Sequence, residues 1–181
     1  MRITVSGAVG SGKSTVSKML ADKLKYPYYS VGDFMREIAK KRGLTILEIS
    51  KKAETDKSID TELDDMQRNL ASKTDFVMDS RLGFHFIPNS YKIYLKVSPE
   101  EAAKRIMRAS RSSEQYKNLE EAIKLLKKRM DSESKRYKEY YGITFPNENA
   151  FDLVIDTTDM RSEDVVKEIK RRLKENNSQP L

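Results

Sequence analysis

The sequence contains no cysteine, which excludes disulfide bonds, thiolate metal sites and cysteine nucleophiles together. Its one histidine, His85, leaves too few imidazoles for a histidine-based metal site or a serine–histidine triad. No uninterrupted apolar run exceeds three residues, as in Phe76-Val77-Met78. A membrane-spanning helix needs about 20 apolar residues, and a signal peptide needs an apolar stretch of about seven or more near its start. Neither is found, and Arg2 already opens a strand-like segment. No membrane segment and no targeting leader are therefore expected, and the reading is cytoplasmic. Glycine is also scarce, yet three of the seven glycines fall within residues 7–12.

What is present describes a folded protein. A chain of 181 residues is one domain's worth and can bury about 70% of its unfolded surface. Basic residues number 35 and acidic residues 28, a surplus of +7. That surplus suits an anionic partner, either nucleic acid or a small polyphosphate. Composition does not choose between the two; the placement of the arginines does.

Periodicity gives alternating strands and helices. Arg2–Ser6 reads as a buried first strand ending at Gly7, and 14–24 as a helix carrying Val16, Met19, Leu20 and Leu24. Residues 28–31 read as a second strand. Asp33 is expected to cap a helix over 34–42, closed by Gly43. Thr45 and Glu48 form a capping-box pattern with Leu44 as a staple onto Ile49. A helix over 60–72, a strand at 76–79 and a strand at 93–97 follow. Ser98-Pro99-Glu100-Glu101 repeats the capping-box logic with proline at the first helical position. A long charged helix spans 119–141 and ends at Gly142; 146–150 is loop, 153–156 the last strand, and 162–173 the last helix before a polar tail. This alternation predicts an α/β fold: a parallel β-sheet of about five strands flanked by helices, with its ligand site at the carboxyl ends of the strands.

Immediately after the first strand stands Gly7-Ala8-Val9-Gly10-Ser11-Gly12-Lys13-Ser14, with Thr15 next. Glycines at 7, 10 and 12 let the loop curl with its N–H groups inward and no Cβ in the way of a phosphate. The following helix aims its positive end at the same anion. Lys13 is placed to bridge the terminal phosphates of ATP, Ser14 to ligate Mg2+, and Thr15 to make a secondary phosphate contact. A chance glycine-rich turn would not arrive in the order strand, loop, helix. The motif defines a P-loop NTPase without saying what becomes of the phosphate.

A second anion site is read at Ser30-Val31-Gly32-Asp33-Phe34-Met35-Arg36, after the second strand. Gly32 lets backbone approach a ligand, and Arg36 can hold a phosphate through paired N–H bonds. Arg81 adds a further phosphate contact two residues beyond Asp79, the strand-end carboxylate expected to reach Mg2+ through water. Two anion sites suggest transfer between two phosphorylated molecules, where a hydrolase needs one. Arg105, Arg108, Arg111, Arg129 and Arg136 then fall within 105–136, with a polar loop at 110–117, and read as a lid that closes positive charge over a transferring phosphoryl group. Arg129, Glu133 and Arg136 share a helix face, so Glu133 can orient both arginines. Lys124, Lys127, Lys128 and Lys135 read as solvated.

With these residues assembled, the chain resembles the nucleoside monophosphate kinases, most closely the short archaeal-type cytidylate kinases. The resemblance runs from Ile3 to the last helix. It is carried by Ser6–Thr15, by Ser30-Val31-Gly32-Asp33 to Arg36, by Asp79-Ser80-Arg81-Leu82, by Arg129–Tyr137 with Tyr141-Gly142-Ile143, and by Asp152–Thr157. It implies one kinase domain over 1–181, with a core of 1–31, 73–104 and 143–176. The monophosphate-binding helices would be 33–72, and the lid and long helix 105–142. It implies that Lys13, the loop, Arg105 and Arg108 hold ATP, that Ser30, Gly32, Arg36 and Arg81 bind the nucleoside monophosphate, CMP or dCMP, that Lys13, Arg81, Arg129 and Arg136 are catalytic, and that Asp156-Thr157 lies near the ATP base. Three positions depart from the pattern: Ser80 where the family usually has glycine, Asp79 where it often has glutamate, and Phe84 where tryptophan is more usual. These departures bear on which monophosphate is accepted. The alternatives are an adenylate kinase using the same machinery and a nucleotide-dependent nucleic-acid-binding ATPase. The latter would use Tyr137, Tyr140 and Tyr141 beside Lys135, Arg136 and Lys138 as its basic, aromatic face. His85 is read as a loop or packing residue, the methionines as core fillers, and the chain as a monomer.

Overall fold

The computed structural model describes residues 1–53, 55–108 and 116–177, with the side chains of Ile46, Leu47, Ser50 and Asn177 excepted. Five strands form one sheet: β1 (Arg2–Gly7), β2 (Tyr28–Ser30), β3 (Phe76–Asp79), β4 (Tyr91–Lys96) and β5 (Leu153–Asp156), in the order β2-β3-β1-β4-β5. The pairing is parallel. Ile3 stands opposite Val77 and Val5 opposite Asp79, Ser30 is also opposite Asp79, and Leu95 is opposite Ile155. Parallel strands are covered on both faces, so their sequences read as continuous apolar runs and not as alternation. All four residues of β3 are accordingly buried, Asp79 included.

The helices are α1 (Lys13–Leu24), α2 (Val31–Lys41), α3 (Ile46–Lys52), α4 (Lys57–Leu70), α5 (Gly83–Phe86), α6 (Pro99–Arg108), α7 (Leu119–Tyr141) and α8 (Ser162–Asn177), with a 3₁₀ turn at Glu148–Ala150. The expected α/β architecture is met; the chain is built as two compact units. The first unit comprises Met1–Ser6 and Ser17–Lys92, the second Gly7–Val16 and Ile93–Leu181.

In the first unit Ile38 and Ala39 of α2, Ile49 of α3, and Ile59 and Leu63 of α4 form a core against which Leu44, Phe34 and Met66 pack. The capping box at Thr45 is complete: Thr45 Oγ1 accepts from the Glu48 N–H, and the Glu48 carboxylate accepts from the Thr45 N–H at 2.7 Å. Two helix starts differ from expectation. Ser30, not Asp33, caps α2, because its hydroxyl accepts from the Asp33 N–H and the helix thus begins at Val31. Helix α4 begins at Lys57, since the Asp56 carboxylate takes the Ser58 N–H at 3.0 Å.

In the second unit Ala102, Ala103 and Ile106 of α6 pack with Ala122 and Leu126 of α7, and Val9, Val97 and Tyr116 close over them. The capping box at Ser98 forms only by half. Ser98 Oγ accepts from the Glu101 N–H, but the Ser98 N–H goes to Thr158 Oγ1 at 2.9 Å, while the Glu101 carboxylate pairs with Arg105. Helix α7 has the expected limits, capped by Asn118 and ended by Gly142 at a φ of 68°. Tyr137 is buried edge-on to Phe145, with ring centroids 5.7 Å apart, so it serves the core and is not available to stack on a base. Helix α8 runs past Leu173 to Asn177.

Candidate active site

The glycine-rich loop is shaped by what it lies against inside the second unit. The Ala8 N–H donates to the Leu95 carbonyl at 3.3 Å, and a Cβ added at Gly7 would sit 2.7 Å from that same oxygen. Gly10 has a φ of +81°, and a Cβ there would approach the Ala102 Cα and carbonyl oxygen to 2.8 Å. Glycine is thus required at 10 both by backbone conformation and by the closeness of α6. Gly12 has a φ of +80° with open space where a Cβ would point. Helix α1 then starts at Lys13 with no acidic residue in its first turn. Its positive end is therefore not neutralised from within the helix. Ser14 and Thr15 are exposed there and Lys13 is half-buried. The Ser11 hydroxyl is buried with no hydrogen-bond partner among the described residues, a polar group of the kind that calls for an explanation.

The far side of the loop is tied to the end of β5. Thr157 Oγ1 lies 3.1 Å from the Ser11 carbonyl and 2.8 Å from the Lys96 carbonyl, and accepts from Arg105 Nη1 at 3.3 Å. Arg105 also donates through Nη2 to the Thr157 and Thr158 carbonyls at 2.6 and 3.0 Å, and through Nε to Glu101 at 3.0 Å. The sequence places Arg105 on ATP; the structure shows its fork engaged with the strand-end turn behind the loop. Hydrogen bonds from Thr158, in the first place, hold the Asp156 carboxyl below its ordinary range.

Of the other lid arginines, Arg108 is exposed at the end of α6. Arg129 donates to Glu133 at 3.3 Å, with the arginine side chain 45% exposed and the glutamate 14%. Glu133 is thus the fixed partner and orients Arg129 as its spacing predicts. Arg136 lies over the ring of Tyr137 at 5.7 Å. Arg111 and most of the 110–117 loop lie outside the described residues.

The residues read as the second anion site belong to the first unit. Ser30 Oγ donates to Asp33 at 2.7 Å, and Asp33 in turn pairs with Arg36. The Ser30 hydroxyl first, then Arg36, keep the Asp33 carboxyl below its ordinary range. A Cβ at Gly32 would meet the Arg36 guanidinium at 3.8 Å, an ordinary contact, so packing does not demand glycine at this position. Asp79 is buried at the end of β3 and accepts from the Tyr28 hydroxyl at 3.3 Å. Burial, then the charge of Asp79, push the Tyr28 phenol up to about 12. Beyond Asp79 the chain turns into α5 on three bonds: Ser80 N–H to the Val5 carbonyl at 3.1 Å, and Ser6 Oγ to the Ser80 and Arg81 carbonyls at 2.9 and 3.0 Å. The Ser80 hydroxyl donates to Gln67 Oε1 at 2.6 Å.

Tyr28 and Gln67 escaped the sequence reading. Gln67 did leave a signal: a polar residue within the apolar stripe Ile59, Leu63, Gln67, Leu70 of α4. Such a side chain is buried only with a partner. His85 is edge-on to Phe86 at 5.0 Å, and burial, then the charge of Arg68, hold its imidazole below the ordinary range, which fits a packing role.

A parallel five-stranded sheet in this order, with a glycine-rich phosphate loop between β1 and α1, defines a P-loop kinase fold. The solved structure of shikimate kinase from Acinetobacter baumannii in complex with shikimate shares that fold, with a TM-score of 0.67 and 23% identity over 98% of this chain and 95% of the other. The chain belongs to the cytidylate kinase-like family, which it matches over residues 2–159. It is 40% identical over 161 residues to the cytidylate kinase of Haloarcula marismortui, covering 87% of this chain and 81% of that protein. It is also 40% identical over 166 residues to an S-adenosylmethionine-dependent nucleotide dehydratase of Lacinutrix mariniflava, covering 91% of this chain and 34% of that protein. The chain thus spans about a third of the length of the latter relative. Among the described residues no helix is long and apolar enough to cross a membrane.

Proposed function

We propose that this protein transfers the γ-phosphoryl group of ATP to the α-phosphate of CMP or dCMP, giving ADP and the cytidine diphosphate. The observation that carries the reading is the Gly7–Thr15 loop, pressed onto α6 through Gly10 and opening onto the acid-free start of α1 at Lys13. The choice of acceptor is supported by family membership and by relatives named cytidylate kinase.

In this reading Gly7, Ala8, Val9, Gly10, Ser11, Gly12, Lys13, Ser14 and Thr15 bind the ATP phosphates, and Lys13 follows the γ-phosphoryl group as it moves. An oxygen of the acceptor's phosphate forms the new bond to phosphorus, the bond from phosphorus to the ADP oxygen breaks, and ADP leaves with the charge. The acceptor is already anionic near neutral pH, so positioning and charge neutralisation replace a strong general base. Ser30, Gly32, Arg36 and Arg81 hold the monophosphate. Arg129 and Arg136, with Arg108, supply positive charge as the lid closes and excludes water. Arg105 serves the ATP site by fixing the Asp156–Thr158 turn near the base. Mg2+ is bound in phosphoryl-transfer enzymes by one or two protein oxygens together with substrate phosphates. The exposed Ser14 hydroxyl and the Asp79 carboxylate are hard oxygen donors of that kind and would hold the ion in this reading, Asp79 through water. The ion, when bound, neutralises charge on the transferring group. The chain acts as one kinase domain, with the flap at 33–72 and the lid at 105–142, as a cytoplasmic monomer.

The test is ADP release with magnesium and ATP across CMP, dCMP, UMP, AMP and GMP, with a no-acceptor control. Turnover confined to cytidine nucleotides is expected. Turnover with AMP would overturn the acceptor, and ADP release without any acceptor would overturn the transfer reaction in favour of an ATPase.

A further inference from the structure

Gln67 is 3% exposed and Ser80 is 3% exposed, and their bond of 2.6 Å links the last turn of α4 to the turn between β3 and α5. Burying a hydroxyl and an amide costs free energy that the bond between them only offsets. Two apolar side chains of similar size would fill the space without that cost. What the polar pair adds is a fixed distance and direction between two segments.

The segment so fixed is the one between Asp79 and Arg81. Its backbone is already held to the end of β1 by the Ser80 N–H and by the Ser6 hydroxyl, which lies within reach of both carbonyls. It has little slack at its far end as well, because a Cβ at Gly83 would meet Thr4 and Ser80 side-chain carbons at 3.2 Å. A turn held this firmly transmits the position of whatever is tied to it. The other end of the amide is weakly engaged, with Gln67 Nε2 donating to the Leu63 carbonyl at 3.4 Å. The firm contact of Gln67 is therefore the one to Ser80, outside its own helix.

We infer that Ser80 and Gln67 are positioning residues for phosphoryl transfer: their bond latches α4 to the Arg81 turn and so sets Arg81 on the acceptor's phosphate. The inference deepens the proposed function and rests on its reading of Arg81. Neither residue touches substrate; both act through Arg81.

The test compares Ser80→Ala, Gln67→Leu and the double variant with the parent protein, varying CMP and ATP separately and recording Tm. Each single variant strands one buried polar group, so its Tm falls by roughly 2–8 °C. The double variant strands neither, and its Tm recovers most of that loss. For CMP, kcat/KM falls about 5- to 20-fold in all three variants and stays low in the double, while KM for ATP remains within about twofold of the parent; these sizes are those of a misplaced charged contact. Recovery of CMP kinetics along with Tm in the double variant would overturn the latch, leaving a packing role. Hydrogen exchange of the segment 79–86 separates this outcome from failure of the kinase reading. Faster exchange there in the double variant, at recovered Tm, is expected whatever the protein phosphorylates. Unchanged exchange overturns the latch, whereas a parent protein inert towards every monophosphate overturns the proposed function.

Discussion

Arg105 shows how one side chain can carry different information in sequence and in structure. As a cation ahead of a polar loop it reads as a phosphate ligand; in the fold its planar fork closes on Thr157, Thr158 and Glu101. Replacing it by lysine keeps the charge and loses the fork, so Arg105→Lys is expected to lower stability by about 1–3 kcal/mol. Thermal unfolding measures this, and an unchanged Tm would show that the clasp contributes nothing. Lys13 lies at the opposite extreme. It is partly exposed at the start of α1, so Lys13→Ala is expected to leave Tm within about 2 °C while reducing kcat by roughly 10²–10³. Normal turnover would remove Lys13 from the mechanism. Tyr28 gives a pH signature. Its phenol is held protonated by burial and by Asp79, to about 12 against an ordinary value of 10.0. The folded state therefore binds this proton more tightly than the unfolded chain. The resulting stability is complete below pH 10, and is lost as pH rises towards 12. Phenolate absorbance should show a late-titrating fraction that shrinks in Tyr28→Phe, with Tyr26, raised by burial and by Asp75, still contributing to it.

Elements whose limits depend on their own residues are those that sequence defines best. Helix α7 begins after Asn118 and ends at Gly142, and β3 and β5 have the limits that their apolar runs give them. Helix starts that depend on a choice between neighbouring caps were less legible. Ser30 and Asp33 both suit an N-cap, and the outcome turns on Ser30 lying opposite Asp79 in the sheet, a non-local fact. The capping box of α3 can be tested directly. Thr45→Ala should cost about 1 kcal/mol. Glu48, bonded to the Thr45 backbone and hydroxyl, has its carboxyl held below the ordinary 4.5. Its contribution is present above that pH and lost as pH falls; Thr45→Ala removes the hydroxyl and keeps the backbone N–H, so it should reduce this acid limb of the stability profile without abolishing it. At the other end of α7, Gly142→Ala forces a side chain into the left-handed region at a cost of about 1–2 kcal/mol, visible in denaturant midpoint.

At the scale of the whole molecule, the alternation of strands and helices sufficed for the α/β class, because a parallel sheet needs helical crossovers. Strand order and the partners of buried polar groups were not legible, since each depends on pairings between residues far apart in the chain. Gln67 with Ser80, Tyr28 with Asp79, and Thr157 with Ser11 are all of that kind. Occupancy of the loop should register in thermal stability. Mg2+–ATP at about 100 times its Kd should add roughly 2.7 kcal/mol and raise Tm by about 5–11 °C. An unmoved Tm would count against ATP as the loop's ligand. The phosphate loop also limits how this chain can be cut. Residues 7–16 lie near one end of the sequence but belong with 93–181, whereas 1–6 belong with 17–92. A fragment expressed from Ile93 onward would lack the loop that Ala102 packs upon, and a fragment ending at Lys92 would carry that loop without its support. No single cleavage can release either unit intact, so producing the two units as separate fragments requires a rearranged chain order.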